Sequence, residues 1–270
     1  MKSGWNGPIK RNTKIRRRML TWKQVALALP MAFLLGDAFA LPAKVIILRH
    51  GEKSSSTGPS GPYGLCNVGW SRSVALRDKY LGKDAFDSLL PKKGPAAFFA
   101  ITPHTIELAA PSVSSWGVPL ITYTAVQRPT GFETDTAAEA ELDLRTQQAA
   151  HDVMTNSRWN NKVVVMIWEH KHIANSTVES TTTQKVTLRQ LFNLDQIPGV
   201  SVPKDWSGNN YDYFWIVTFG NRSSKIPTGF STQIQTYPTP ENPTETDPVI
   251  PSNSWGVPVE LPSECKNSAD

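Results

Sequence analysis

Lys44-Val45-Ile46-Ile47-Leu48-Arg49-His50-Gly51-Glu52 decides how this chain is read. Four branched apolar residues in a row predict a buried strand, since a strand covered on both faces reads as a continuous apolar run. The strand runs straight into Arg49-His50-Gly51. A planar cation, an imidazole and a glycine at the carboxyl end of a parallel strand stand where open α/β sheets place their ligands.

The pattern repeats downstream. Lys162-Val163-Val164-Val165-Met166-Ile167-Trp168-Glu169-His170 is a second apolar strand that ends in histidine. Around these anchors the chain alternates. Residues 68–81 carry a helical pattern, Ala96 to Ile101 a short strand closed by Thr102-Pro103, and Val118 to Ala125 a β-branched strand. Thr134 to Met154 is the clearest helix, with acids crowding its first turns. A helix near Thr187 to Asn193 and a strand over Tyr211 to Phe219 follow. This order predicts an α/β three-layer sandwich, a mainly parallel central sheet flanked by helices. Ser54 to Pro62 is a loop by composition and follows the Arg-His-Gly motif, so it is expected to rim the site. Ser-Trp-Gly-Val-Pro occurs twice, at 115–119 and 254–258, and one repeated pentapeptide does not make a repeat architecture.

Charge and composition divide the 270 residues unevenly. Residues 1–40 hold eight basic residues and one acid, leaving 20 basic against 22 acidic residues beyond them. The remainder is near neutral, which removes the electrostatic support a nucleic-acid partner needs. The N-terminal stretch reads as a secretory signal: a basic run to Arg18, a short apolar core from Val25 to Leu35, and Ala38-Phe39-Ala40 for cleavage. An uncleaved anchor is the other reading, and Arg16-Arg17-Arg18 also permits twin-arginine export. The expected organisation is a signal peptide at 1–40, a domain at 41–237 and an extended polar tail at 238–270. The mature protein is expected to be secreted or periplasmic, with no membrane partner after cleavage. Both cysteines, Cys66 and Cys265, lie beyond the signal, so export permits a disulfide between them; two free thiols are the alternative.

Arg49-His50-Gly51-Glu52 after its strand, the second histidine-ended strand, and Gly69-Trp70-Ser71-Arg72-Ser73-Val74-Ala75-Leu76 between them resemble the histidine phosphatase superfamily, the phosphoglycerate-mutase-like fold. The resemblance covers roughly residues 44–220. It implies hydrolysis of a small phosphorylated substrate through a phosphohistidine at His50, with His170 as the second catalytic histidine. Arg49 would grip phosphate oxygens with its fork of donors, and Gly51 would let the backbone approach the substrate. The general acid would be Glu169 or, from the segment before the long helix, Glu133. No metal and no other cofactor is expected.

The chain also departs from the family pattern. Where the family has Ser-Pro-x-x-Arg-Ala, this chain has Thr102-Pro103-His104-Thr105-Ile106-Glu107, so Ile106 falls where a second arginine would hold phosphate. Arg128, in a loop after the third strand, is the first substitute, and Arg72 the second. Lys171 replaces the glycine usual after the second histidine. Read as extended chain, His170 and His172 share one side, which places His172 in the pocket. The same pair with Glu169 or His50 offers zinc ligands, opposed by Arg49 and Lys171. The alternative to an enzyme is a binding protein that keeps the fold without turnover.

Overall fold

Strand β1 (Lys44–Arg49) lies at the centre of a six-stranded sheet with the order β4-β3-β5-β1-β6-β7. The partners are β3 (Ala97–Ala100), β4 (Leu120–Thr122), β5 (Val163–Trp168), β6 (Tyr213–Thr218) and β7 (Gly229–Ile234). This computed structural model describes residues 40–55, 64–124, 135–208, 210–220, 224–236 and 263–266. Strands β4, β3, β5 and β1 are parallel neighbours, whereas β6 pairs antiparallel with both β1 and β7. The mainly parallel α/β sheet expected from sequence is therefore present, with an antiparallel edge of two strands.

The period-2 alternation of the strands divides the core in two. Val45, Ile47, Phe99, Val164, Met166 and Trp168 face one layer, where α3 (Asp135–Thr155) contributes Leu142, Ala149, Ala150 and Val153. Ile46, Leu48, Phe98, Val165 and Ile167 face the other. There α1 (Asn67–Leu76), its π-helical continuation Arg77–Leu81 and α2 (Pro103–Trp116) supply Leu76, Tyr80, Leu81 and Leu108. Helices on both faces complete the three layers. The short helices α4 (His170–Ile173), α5 (Ser176–Thr181) and α6 (Leu188–Leu191) follow β5.

Gly69 sets how closely α1 meets the end of β1. A Cβ at residue 69 would stand 2.4 Å from the Glu52 carbonyl oxygen, closer than any side chain tolerates, so glycine lets the helix abut the motif.

Two strand residues, β2 (Lys53–Ser54), follow the Arg-His-Gly motif and pair antiparallel with β8 (Cys265–Lys266). Residues 263–266, assigned to the polar tail by sequence, thus return to the loop that follows β1. A disulfide joins Cys66, just before α1, to Cys265. The bridge is buried with Val68.

Candidate active site

Parallel β1 and β5 end side by side, with Arg49 opposite Trp168 in register. The residues that follow each strand therefore enter one space. His50, Glu169 and His170 come together there, and α2 adds His104 from its first turn. All four are buried.

His50 is anchored through its own loop. Its Nδ1 lies 2.7 Å from the Gly51 carbonyl oxygen, which can only accept, so Nδ1 carries the hydrogen and Nε2 keeps its lone pair. Burial, with Lys53 and Arg49 adding to it, lowers the His50 pKa well below the usual imidazole value. The ring is neutral, and Nε2 is available as a nucleophile. Gly51 packs tightly against its neighbours. A Cβ there would meet Leu65 and Leu108 at 3.2 Å, so the absent side chain serves packing, and the carbonyl orients His50.

Arg49 is fixed from two directions. One terminal nitrogen donates to the backbone carbonyls of Ser207, Gly208 and Asn210. The other is 3.1 Å from His50 Nε2 and 3.5 Å from His170 Nδ1. The guanidinium also stacks over Tyr211, 3.9 Å from the ring centroid. Donation from Arg49 to His170 Nδ1 places the His170 hydrogen on Nε2. Burial and the Arg49 charge bring the His170 pKa down to about 2, so this second histidine is a neutral donor.

Glu169 is the hub of the cluster. Its Oε2 is 3.6 Å from His50 Nε2 and accepts from Lys53 Nζ at 3.3 Å. Its Oε1 accepts from Thr102 Oγ1 at 2.8 Å and from His104 Nε2. Burial pushes this carboxyl up, but Lys53 and His104 outweigh it and hold Glu169 well below the usual carboxylate range. The site therefore contains a buried anion beside His50, offset by Lys53 from β2.

Behind this layer lies Arg72. It forks onto Glu52 at 2.6 and 2.9 Å, and it donates to Asp212 at 2.7 Å and to Gln235 at 3.3 Å. Burial pushes the Asp212 carboxyl up, with Arg72 working against that shift. Arg72 is a structural cation tying α1 to the β1 loop and to β6, not a phosphate ligand.

Several sequence expectations change. His172 does not line the pocket: residues 170–173 turn as helix, so the extended-chain alternation fails at this point. The His172 ring packs toward α3, with Nε2 3.0 Å from Asp143. That removes His172 from any zinc set with His170. His50, His104 and Glu169 do bring ligand atoms within 4.8 Å of one another. Arg49 and Lys53 already stand on those same atoms, and two fixed cations oppose a third. Glu133 and Arg128 lie outside the described residues. Ile106, at the expected arginine position, is half-buried.

His104, Lys53, Thr102 and Tyr211 are site residues that sequence reasoning missed. The signal for His104 was present. Pro103 at the first helical position starts a helix, Thr105 Oγ1 accepts from the Thr102 amide at 2.8 Å, and His104 falls on the first turn facing the strand ends.

No family model and no curated protein matches the chain. Solved structures with a similar fold include a protein of Agrobacterium tumefaciens assigned as the phosphohistidine phosphatase SixA, at 12% identity and a TM-score of 0.32, covering 66% of this chain and 92% of that one. Another is a mycobacterial glucosyl-3-phosphoglycerate phosphatase, at 12% identity and a TM-score of 0.35, covering 72% and 98%. A third is the mycobacterial hydrolase 2, at 11% identity and a TM-score of 0.34, covering 82% and 93%. At these identities and scores the similarities carry no argument about chemistry, which rests on the side chains described above.

Proposed function

We propose that this chain is a phosphomonoester hydrolase of the histidine phosphatase superfamily, acting through a phosphohistidine on His50. One observation carries the reading: a buried, neutral His50 held by Gly51, with its lone-pair nitrogen 3.1 Å from an immobilised arginine. A nucleophile beside a preorganised cation is what phosphoryl transfer asks of a protein, since positioning and charge stabilisation dominate that chemistry.

In the first half-reaction His50 Nε2 attacks phosphorus, and the ester oxygen leaves. Arg49 turns its inner amino group from His50 to an equatorial oxygen. His170 donates to a second oxygen. Lys53, 21% exposed at its side chain, is a point charge that would meet a third. Water then cleaves the phosphorus–nitrogen bond. Lys53 takes on the role sought in a second arginine.

Half-buried Ile106 at the arginine position, with anionic Glu169 beside the nucleophile, favours the other reading, a phosphate-binding protein without turnover. A labelled phosphomonoester followed by alkaline quench separates them. Label on His50, absent from His50→Ala, is the expected result. Phosphate binding with no labelled protein at any time would establish the binding reading.

A further inference from the structure

Glu169 and His104 form a buried hydrogen-bonded pair. His104 is 4% exposed, its ring centroid is 4.9 Å from that of His50, and its Nε2 donates to Glu169 Oε1. Thr102 Oγ1 reaches both members, at 3.0 Å from His104 Nε2 and 2.8 Å from Glu169 Oε1. The opposite carboxylate oxygen, Oε2, faces His50 Nε2 at 3.6 Å. One carboxylate oxygen therefore meets the His104 imidazole, and the other faces His50 Nε2 and accepts from Lys53 Nζ at 3.3 Å. We propose that Glu169 and His104 are the acid–base pair of the reaction, with Glu169 touching the reacting oxygen and His104 storing its proton. The inference rests on phosphoryl transfer to His50.

The pair balances both half-reactions. The pair holds one mobile proton, in the hydrogen bond between His104 Nε2 and Glu169 Oε1. When the His50 nitrogen–phosphorus bond forms, the phosphorus–oxygen bond breaks with its electron pair on oxygen. The mobile proton passes from the His104–Glu169 hydrogen bond to the Glu169 carboxyl and from the carboxyl to the leaving oxygen. The pair is left without its mobile proton. In the second half, water oxygen bonds phosphorus, and the phosphorus–nitrogen pair of electrons returns to His50. The proton lost by water passes to Glu169 and on to His104. Alcohol and phosphate are released and the resting pair is restored, without any further acid. His104 acts through Glu169 and is a positioning and proton-storing residue, whereas Glu169 is catalytic.

Leaving-group dependence tests this, because only a proton donor distinguishes a poor leaving group from a good one. Burst rates of phosphoenzyme formation would be measured with glycerol phosphate and with p-nitrophenyl phosphate, for wild type and His104→Gln. Glutamine keeps a donor for Glu169 but stores no proton. The expected loss is about a hundredfold or more with glycerol phosphate, the size typical of a general acid, and less than about fivefold with p-nitrophenyl phosphate. Equal losses on both substrates would make His104 merely structural and overturn the proposal. The wild type gives an answer even where the variant fails to fold. Its burst rates should depend weakly on the acidity of the leaving alcohol, and a steep dependence would refute the donor. If wild type forms no phosphoenzyme, the His50 reading itself falls. If it forms one with steep dependence, only the acid–base pair falls.

Discussion

Replacing Arg72 by methionine separates the two roles that an arginine near this site could have. The structure gives it three buried partners. The Arg72, Glu52 and Asp212 side chains are only 2–5% exposed, so solvent offers the carboxylates little relief once the guanidinium is gone. Deleting one member of a buried ion-pair set costs about 3–5 kcal/mol, because the remaining charge stays desolvated. For a domain of this size each kcal/mol moves Tm by about 2–4 °C, so Arg72→Met should melt roughly 6–20 °C below wild type. Urea denaturation supplies the free energy, and the double variant Arg72→Met with Glu52→Gln should cost less than the sum of the singles. Phosphoenzyme formation, corrected for the folded fraction, should stay within about tenfold of wild type, since Arg72 touches none of the reacting groups. A variant that loses activity by a thousandfold while its folding free energy moves by less than about 1 kcal/mol would refute the structural assignment. It would make Arg72 the missing phosphate ligand.

Acid should destabilise the fold in a defined window. His50 and His170 are neutral when folded but take up protons near pH 6.5 when unfolded, so the unfolded chain binds more protons below that pH. Stability is complete above about pH 7.5 and falls as pH drops, approaching about 2.7 kcal/mol per pH unit for two such groups. Glu169, depressed in the fold, adds a further loss below about pH 4.5. A urea midpoint unchanged between pH 7.5 and 5.5 would show that the histidines are not held neutral. The Cys66–Cys265 bond closes a separation of 199 residues, and its reduction should cost about 2–5 kcal/mol. Non-reducing peptide mapping should recover the linked pair, and free thiols in oxidised protein would refute it. The N-terminus of exported protein should be Leu41, whose side chain is buried and whose carbonyl accepts from Asn161 at 2.9 Å. Mass spectrometry of the mature chain checks this, an intact residue 1 being the contrary result.

The sheet was legible because its strands announce themselves. The runs at 45–48 and 163–168 are covered on both faces, so no polar residue interrupts them, and each stops at a histidine whose role depends only on being at a strand end. The antiparallel direction of β6 was not legible. Tyr213 to Thr218 has the same composition either way, and its direction depends on the connection that brings it to the open edge of β1. His172 was misplaced because the rule applied to it holds only while the chain stays extended, and the helical turn at 170–173 ends that two residues too early. His104 is hidden behind the family pattern, which asks for a guanidinium at position 106. A helix that begins at Pro103 presents its first turn to the strand ends, and position 106 lies about 200° around the axis from 104.

The charge balance of the pocket explains why the C-terminal residues return to it. Glu169 is anionic and stands 3.6 Å from the nucleophile, where it would repel an incoming phosphoryl group. Lys53 offsets that charge, but a lysine on a free loop would lose much of its attraction to water and rotamer freedom. Its backbone is instead held on both sides. Lys53 pairs with Lys266, Ser54 with Cys265, and the Ser54 and Ser55 amides donate to the carbonyls of Gly64 and Glu264 at 2.9 and 2.8 Å. The Cys66–Cys265 bond then fastens this ribbon beside the start of α1, where the Cys66 amide donates to the Glu52 carbonyl at 3.0 Å. Arg49 and Lys53 together give two fixed cations against one carboxylate, leaving a net positive charge around His50. A pocket that lacked the ribbon would keep Arg49 and Glu169 alone, a neutral pair with no surplus attraction for phosphate. The polar tail thus bears on the chemistry through a single lysine, which stands two residues after Gly51 and one after Glu52.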